Sequence, residues 1–139
     1  MTSVFGPYAH AIAAMAGMGL LTLIMSPLSA MKKTRLGLAP GSSPEPDYSS
    51  ATYRWHRAYG NAAESTGTFA LVTGAAILAG GGAIWVNWLA TLYLLSRIIL
   101  AVVHVRGIGK PDMSIRSFTY VFGWAMCVLL ALTAIIAAF

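Results

Sequence analysis

The sequence predicts an all-α integral membrane protein, a four-helix bundle whose helices run antiparallel in chain order. Three observations carry that prediction. Of 139 residues, 58% are hydrophobic and 9% charged, with a mean hydropathy of +0.71, a balance wrong for a soluble domain. All nine Lys and Arg residues lie between Lys32 and Arg116, so both ends of the chain lack charged side chains. The apolar sequence also divides into four stretches of about 20 residues or more, the length a helix needs to cross a hydrocarbon core.

The first stretch runs over about 8–30, uncharged and rich in small residues. Among them Ala13, Ala14, Ala16, Gly17 and Gly19 allow a neighbouring helix to approach closely. Pro27 is expected to kink its last turn, and Lys32, Lys33 and Arg35 end the span. The segment from Gly37 to Ser50, rich in Pro, Gly and Ser, reads as a loop on the membrane surface. A second helix is expected over about 53–79 and closes on the turn Gly80-Gly81-Gly82. The third, over about 83–105, places Trp85 and Trp88 near its start as interfacial anchors. A second basic loop, Arg106 to Ser114, leads to the fourth helix over about 115–139. The whole chain, 1–139, reads as one transmembrane domain without an internal repeat.

The N-terminal stretch has no basic leader and no clear small-residue cleavage site, so it reads as a retained helix and not a signal peptide. Positive-inside counting puts both basic loops in the cytoplasm and both termini outside. Short loops and the lack of a retention signal suit a bacterial inner membrane. The sequence pI near 9.7 does not point to nucleic acid. Its basic residues sit at helix ends, where membrane lipid head groups are the expected partners. The single cysteine, Cys127, lies deep in the last apolar stretch and reads as a small core or lipid-facing residue. No metal site is expected, because His10, His56 and His104 have no paired spacing and no thiolates beside them.

The chemistry gathers at the start of the second helix. Arg54, Arg57, Asn61 and Glu64 are spaced by three, four and three residues, which sets all four on one helical face. A charge within a span costs about 3 kcal/mol even on insertion scales. Lipid cannot solvate such a stripe, so it must face protein or a wet cavity. The structural alternative is a face that locks against another helix, with Arg54 merely reaching the interface. The third helix adds Arg97 and His104, seven residues apart and therefore on one face. Arg97 could be a buried structural partner of Glu64, and lone buried histidines are more often satisfied core residues than ligands. Arg116, at the entry of the fourth helix, reads on isolated grounds as an ordinary interfacial anchor.

Taken together these segments resemble the MAPEG family, the membrane-associated proteins of eicosanoid and glutathione metabolism. The resemblance rests on Arg57-Ala58-x-x-Asn61-x-x-Glu64, on Arg97-Ile98-Ile99 with His104 following, and on Ile115-Arg116-Ser117 with Thr119-Tyr120. It covers essentially the whole chain, and the fourth-helix match looks most like the prostaglandin E synthase branch. What it implies is a homotrimer with glutathione bound between neighbouring subunits. Arg57, Asn61 and Glu64 would hold glutathione, with Arg54, Arg97 and His104 as further contacts. Arg116 would be the catalytic arginine beside the thiol, and Lys32 or Lys33 would match the family's basic residue at the end of helix one.

The residue types suit those roles. Arginines grip carboxylates in bidentate fashion, Glu64 can accept from the ammonium, and Asn61 can pair with the peptide. A guanidinium beside a thiol lowers its pKa and makes the nucleophilic thiolate. The expected activity is therefore a membrane-bound glutathione transferase, with lipid hydroperoxide peroxidase activity as a variant, acting on an apolar electrophile from the bilayer. His104 and Leu100 stand where several relatives carry a tyrosine on helix three, and Ala62, Ala63 and Ser65 surround Glu64 where eicosanoid members often carry an aromatic or acidic residue. These departures leave the electrophile open. The competing class is a non-catalytic MAPEG-like accessory subunit packed in a larger membrane complex. A small transporter fits less well, since no inverted repeat or broken-helix pair is present.

Overall fold

The computed structural model describes residues 4–110 and 113–139. Two residues of the loop read at 106–114, and the first three of the chain, thus lie outside the described residues. After a single 3-10 turn at Gly6–Tyr8, the chain forms α1 (Ala9–Thr34), α2 (Ala51–Leu78), α3 (Ala83–Arg106) and α4 (Ile115–Ala138). Among the described residues all regular structure is helical.

Helix ends follow local chemistry. α1 does not stop at Ala30; it runs through Pro27 to Thr34, so Lys32 and Lys33 form its last turn. Cations there complement the negative end of the helix dipole, and Lys33 Nζ donates to Pro40 O at 3.0 Å, folding the next loop back. α2 starts earlier than the basic stretch suggests because Ser50 caps it, its Oγ accepting from Tyr53 N at 3.5 Å. Just before the cap, Asp47 accepts from Ser49 N at 2.8 Å and from Ser49 Oγ at 2.5 Å. Those bonds favour the ionised form and hold the Asp47 carboxyl below its ordinary range. α3 ends on Gly107, whose φ of 68° closes the helix through Ile108 N to Val103 O at 2.9 Å.

α2 and α3 form the diagonal of the bundle and each packs against all the other helices, leaving α1 and α4 at opposite corners. The centre is the stacked pair Phe69 and Tyr93, ring centroids 4.0 Å apart and planes within 15°. Met18 of α1 and Leu130 of α4 close over them, all fully buried. Gly17 lets α1 seat on α3, since Leu94 Cδ2 lies 2.9 Å from where a Cβ would stand. Thr22 and Thr66 share a hydroxyl hydrogen bond of 2.8 Å between α1 and α2.

α1, α3 and α4 are long and apolar enough to cross a membrane. α2 matches them in length but its stripe of Arg54, Arg57, Asn61 and Glu64 dilutes its hydropathy. α4 has the highest hydropathy of the three spans, yet only 22% of its most apolar window is buried within the chain. Phe118, Phe122, Trp124, Leu132, Ile135 and Ile136 point outward. A soluble bundle would turn such a helix inward; an apolar face left outward suits a bilayer. With three such helices the chain is an integral membrane protein.

The Phe69–Tyr93 stack sets a stability expectation. Phe69→Ala should lower unfolding free energy in detergent by about 3 kcal/mol, because the cavity it leaves is walled by all four helices. Thermal unfolding followed by circular dichroism checks this; an unchanged midpoint would mean the stack is not the centre of packing.

Candidate functional site

Antiparallel order brings one end of every helix to the same level. The start of α2, the end of α3 and the start of α4 meet at the basic end of the bundle, roofed by the loop over 35–50. There Tyr48, Arg57, Asn61, Glu64, His104 and Arg116 line an open cavity of about 310 Å³, with Leu100, Ser117, Tyr120 and Val121. A second cavity of about 250 Å³ adjoins it and shares Asn61, Glu64 and Tyr120. Its other walls include Ser65, Tyr93, Arg97, Trp124 and Cys127.

Asn61 is the hinge pin of the first cavity. It is buried, and its Nδ2 donates to Arg57 O at 3.0 Å and to His104 Nε2 at 3.1 Å. With Nε2 accepting, the neutral ring carries its proton on Nδ1, which has no partner among the described residues. His104 is thus more than a satisfied core histidine: one nitrogen positions the stripe of α2 and the other is free.

Arg116 is 6% exposed. Its Nε donates to Ile108 O at 3.0 Å and its Nη2 to Gly109 O at 3.1 Å. The Tyr48 ring covers its face, 4.2 Å from the guanidinium carbon, and Nη1 has no partner among the described residues. Arg97 is 4% exposed and held between two rings, Tyr93 at 4.9 Å and Tyr120 at 4.8 Å. Its Nη2 donates to Tyr120 O at 3.4 Å, while Nε and Nη1 have no partner among the described residues. Gly123 makes room for it: a Cβ there would stand 2.9 Å from Nη2. Among the described residues no carboxylate pairs with either guanidinium, so a Glu64–Arg97 ion pair does not form. Glu64 instead lies exposed on the flank of the bundle, about 20 Å along α2 from its start at 1.5 Å per residue.

Five of the sequence-predicted residues therefore meet in one cavity: Arg57, Asn61, Glu64, His104 and Arg116. Arg97 lines the neighbouring one. Arg54 lines neither. Its Nη1 donates to Tyr48 O at 2.8 Å and Ser49 O at 2.7 Å, and its Nε to Val105 O at 3.5 Å. It clips the loop to the end of α3, laid across Gly107, where a Cβ would be 3.1 Å from its Cδ. Lys33 is occupied with Pro40 and Lys32 sits over the Trp55 ring at 5.9 Å. Sequence reasoning missed Tyr48, hidden in a segment that reads only as a polar linker. Its one signal was an aromatic residue beside the Asp-x-Ser turn and the helix cap. Cys127 is neither core nor lipid-facing alone, since it is half-buried and walls the second cavity.

A model of the MAPEG family matches residues 10–136, and the chain belongs to that family. No curated protein and no solved structure matches it.

A buried cation with no counter-ion is a burden on stability, and replacing it by an apolar isostere is often neutral or favourable. Arg97→Met should therefore leave unfolding free energy unchanged or raise it by up to about 2 kcal/mol. A clear fall in the thermal midpoint would show that Arg97 is a structural lock instead.

Proposed function

We propose that this MAPEG family member is a membrane-bound glutathione transferase, with peroxidase activity toward lipid hydroperoxides as a second use of the same activated thiol. One observation supports the reading above the others. A cavity at the basic end joins Arg57, Asn61 and Glu64 to a buried arginine, Arg116, whose Nη1 has no partner among the described residues.

The donor set suits glutathione. Arg57 would grip a carboxylate, Glu64 would accept from the ammonium, and Asn61, fixed by His104, would face the peptide. Bound there, glutathione would supply a thiolate nucleophile. Arg116 would stabilise that charge through Nη1, since Nε and Nη2 are already committed to Ile108 and Gly109. The electrophile is an apolar molecule entering from the bilayer, and the outward-facing rings of α4 beside the cavity suit its approach.

The reading includes a homotrimer with glutathione between neighbouring subunits. Glu64 is exposed on a single chain, and lipid cannot solvate a carboxylate at that depth. A second copy, together with the ligand, would supply the polar cover. The reading has the site and both basic loops facing the cytoplasm, which positive-inside counting supports, with a bacterial inner membrane as the host.

Ultraviolet difference absorbance during glutathione titration at neutral pH tests the reading. Wild-type protein should develop a saturable thiolate band. Arg116→Ala should abolish the band and lower kcat for an apolar electrophile on the order of 100-fold. Arg57→Ala should raise half-saturating glutathione by about tenfold or more, the loss of one charge-assisted hydrogen-bonding group. Failure of well-folded wild-type protein to bind would instead favour the non-catalytic subunit.

A further inference from the structure

We propose that Tyr48 is a positioning residue for the thiol site, an aromatic roof that holds Arg116 in place without neutralising it. The inference rests on the glutathione reading and assigns a role to a loop residue outside the motifs that define the site.

The reasoning starts from how an arginine can be immobilised. A carboxylate partner would hold a guanidinium firmly but cancel the charge that a thiolate needs. Among the described residues Arg116 is held otherwise. Two backbone carbonyls, Ile108 and Gly109, take two of its nitrogens in the guanidinium plane. The Tyr48 ring takes one face at 4.2 Å. A ring presents a negative quadrupole but no net charge, so the positive charge survives for a ligand. Arg116 is itself buried, so its charge acts on a thiol bound beside it with less screening than in bulk water.

Tyr48 is itself placed by three contacts. Its ring lies nearly parallel to His104, centroids 6.1 Å apart and planes within 21°. Tyr53 meets it edge-on at 5.1 Å. Arg54 fixes its backbone, donating to the carbonyls of Tyr48 and Ser49 while reaching Val105 O. The roof thus connects Arg54, which does not line the cavity, to Arg116, which does. The effect of Arg54 on catalysis runs through the loop.

The test uses the full-length protein in nanodiscs and glutathione as the probe. The pH midpoint of the thiolate band is measured between about pH 5.5 and 9, a window above the ordinary carboxylate range. Asp47, which shapes the loop, stays ionised throughout, since its bonds to Ser49 lower its pKa further. The titratable and charged groups around the thiol are Arg57 and Glu64 from α2, His104 from α3, Arg116 and Tyr120 from α4, and Tyr48. Tyrosinates and a Cys127 thiolate would absorb in the same ultraviolet range, so the band is taken at each pH as the difference between protein with and without glutathione.

Tyr48→Leu should move the midpoint up by about one pH unit, the scale of a partly desolvated cation–π contact. Half-saturating glutathione at the alkaline end should stay within about threefold. Tyr48→Phe, which restores the ring, should rescue the midpoint. Arg54→Gln, which leaves the ring but loosens the loop, should move it in the same direction as Tyr48→Leu and by less. The proposal is overturned if Tyr48→Leu weakens binding with the midpoint unmoved, or if Phe and Leu act alike. Wild-type protein without a thiolate band would instead sink the glutathione reading itself.

Discussion

Two buried guanidiniums with no carboxylate partner among the described residues set the terms for the rest of this bundle. An isolated cation in a low-dielectric interior is unstable by several kcal/mol unless its surroundings compensate. Here the compensation comes from neutral groups: backbone carbonyls of Ile108, Gly109 and Tyr120, and the rings of Tyr48, Tyr93 and Tyr120. Each supplies negative potential without negative charge. These groups leave the positive charge of the guanidiniums uncancelled at the cavity walls, a condition that suits an anionic ligand.

That arrangement depends on backbone detail in places a hydropathy plot treats as blank. Gly107 turns the chain at φ 68° at the end of α3 and leaves space for Arg54. The loop that follows points the carbonyls of Ile108 and Gly109 at Arg116. Gly123 thins α4 so that Arg97 can lie between two rings. Asn61 ties α2 to α3 through His104. Small residues and one buried amide thus decide where the large charged ones stand, because a helix interior offers few ways to place a guanidinium without strain or clash.

The exposed carboxylate of Glu64 has a different consequence. The two arginines are enclosed by their own chain, while Glu64 faces outward from it. A single subunit in a bilayer leaves that charge unsolvated, so the proposed contact between copies and the proposed ligand answer the same physical need. In this reading binding and assembly share one polar surface.

The sequence by itself determined the class of the protein and most of the residues that line the candidate cavity. Apolar length and the confinement of charge between Lys32 and Arg116 required spanning helices, and the three-four-three spacing put Arg57, Asn61 and Glu64 on one face. These are consequences of local period and of the hydration of charge, both legible one residue at a time. Tertiary structure decided the partners. The spacing of Arg54 matches its neighbours, yet its side chain serves the loop and not the cavity. Glu64 and Arg97 read as complementary charges, yet they stand apart. Tyr48 belongs to a segment with no periodicity, and only the folding of that loop over α3 and α4 lays its ring on Arg116. Such contacts join residues far apart in sequence through side chains and turn carbonyls, and no local pattern encodes which of them will meet.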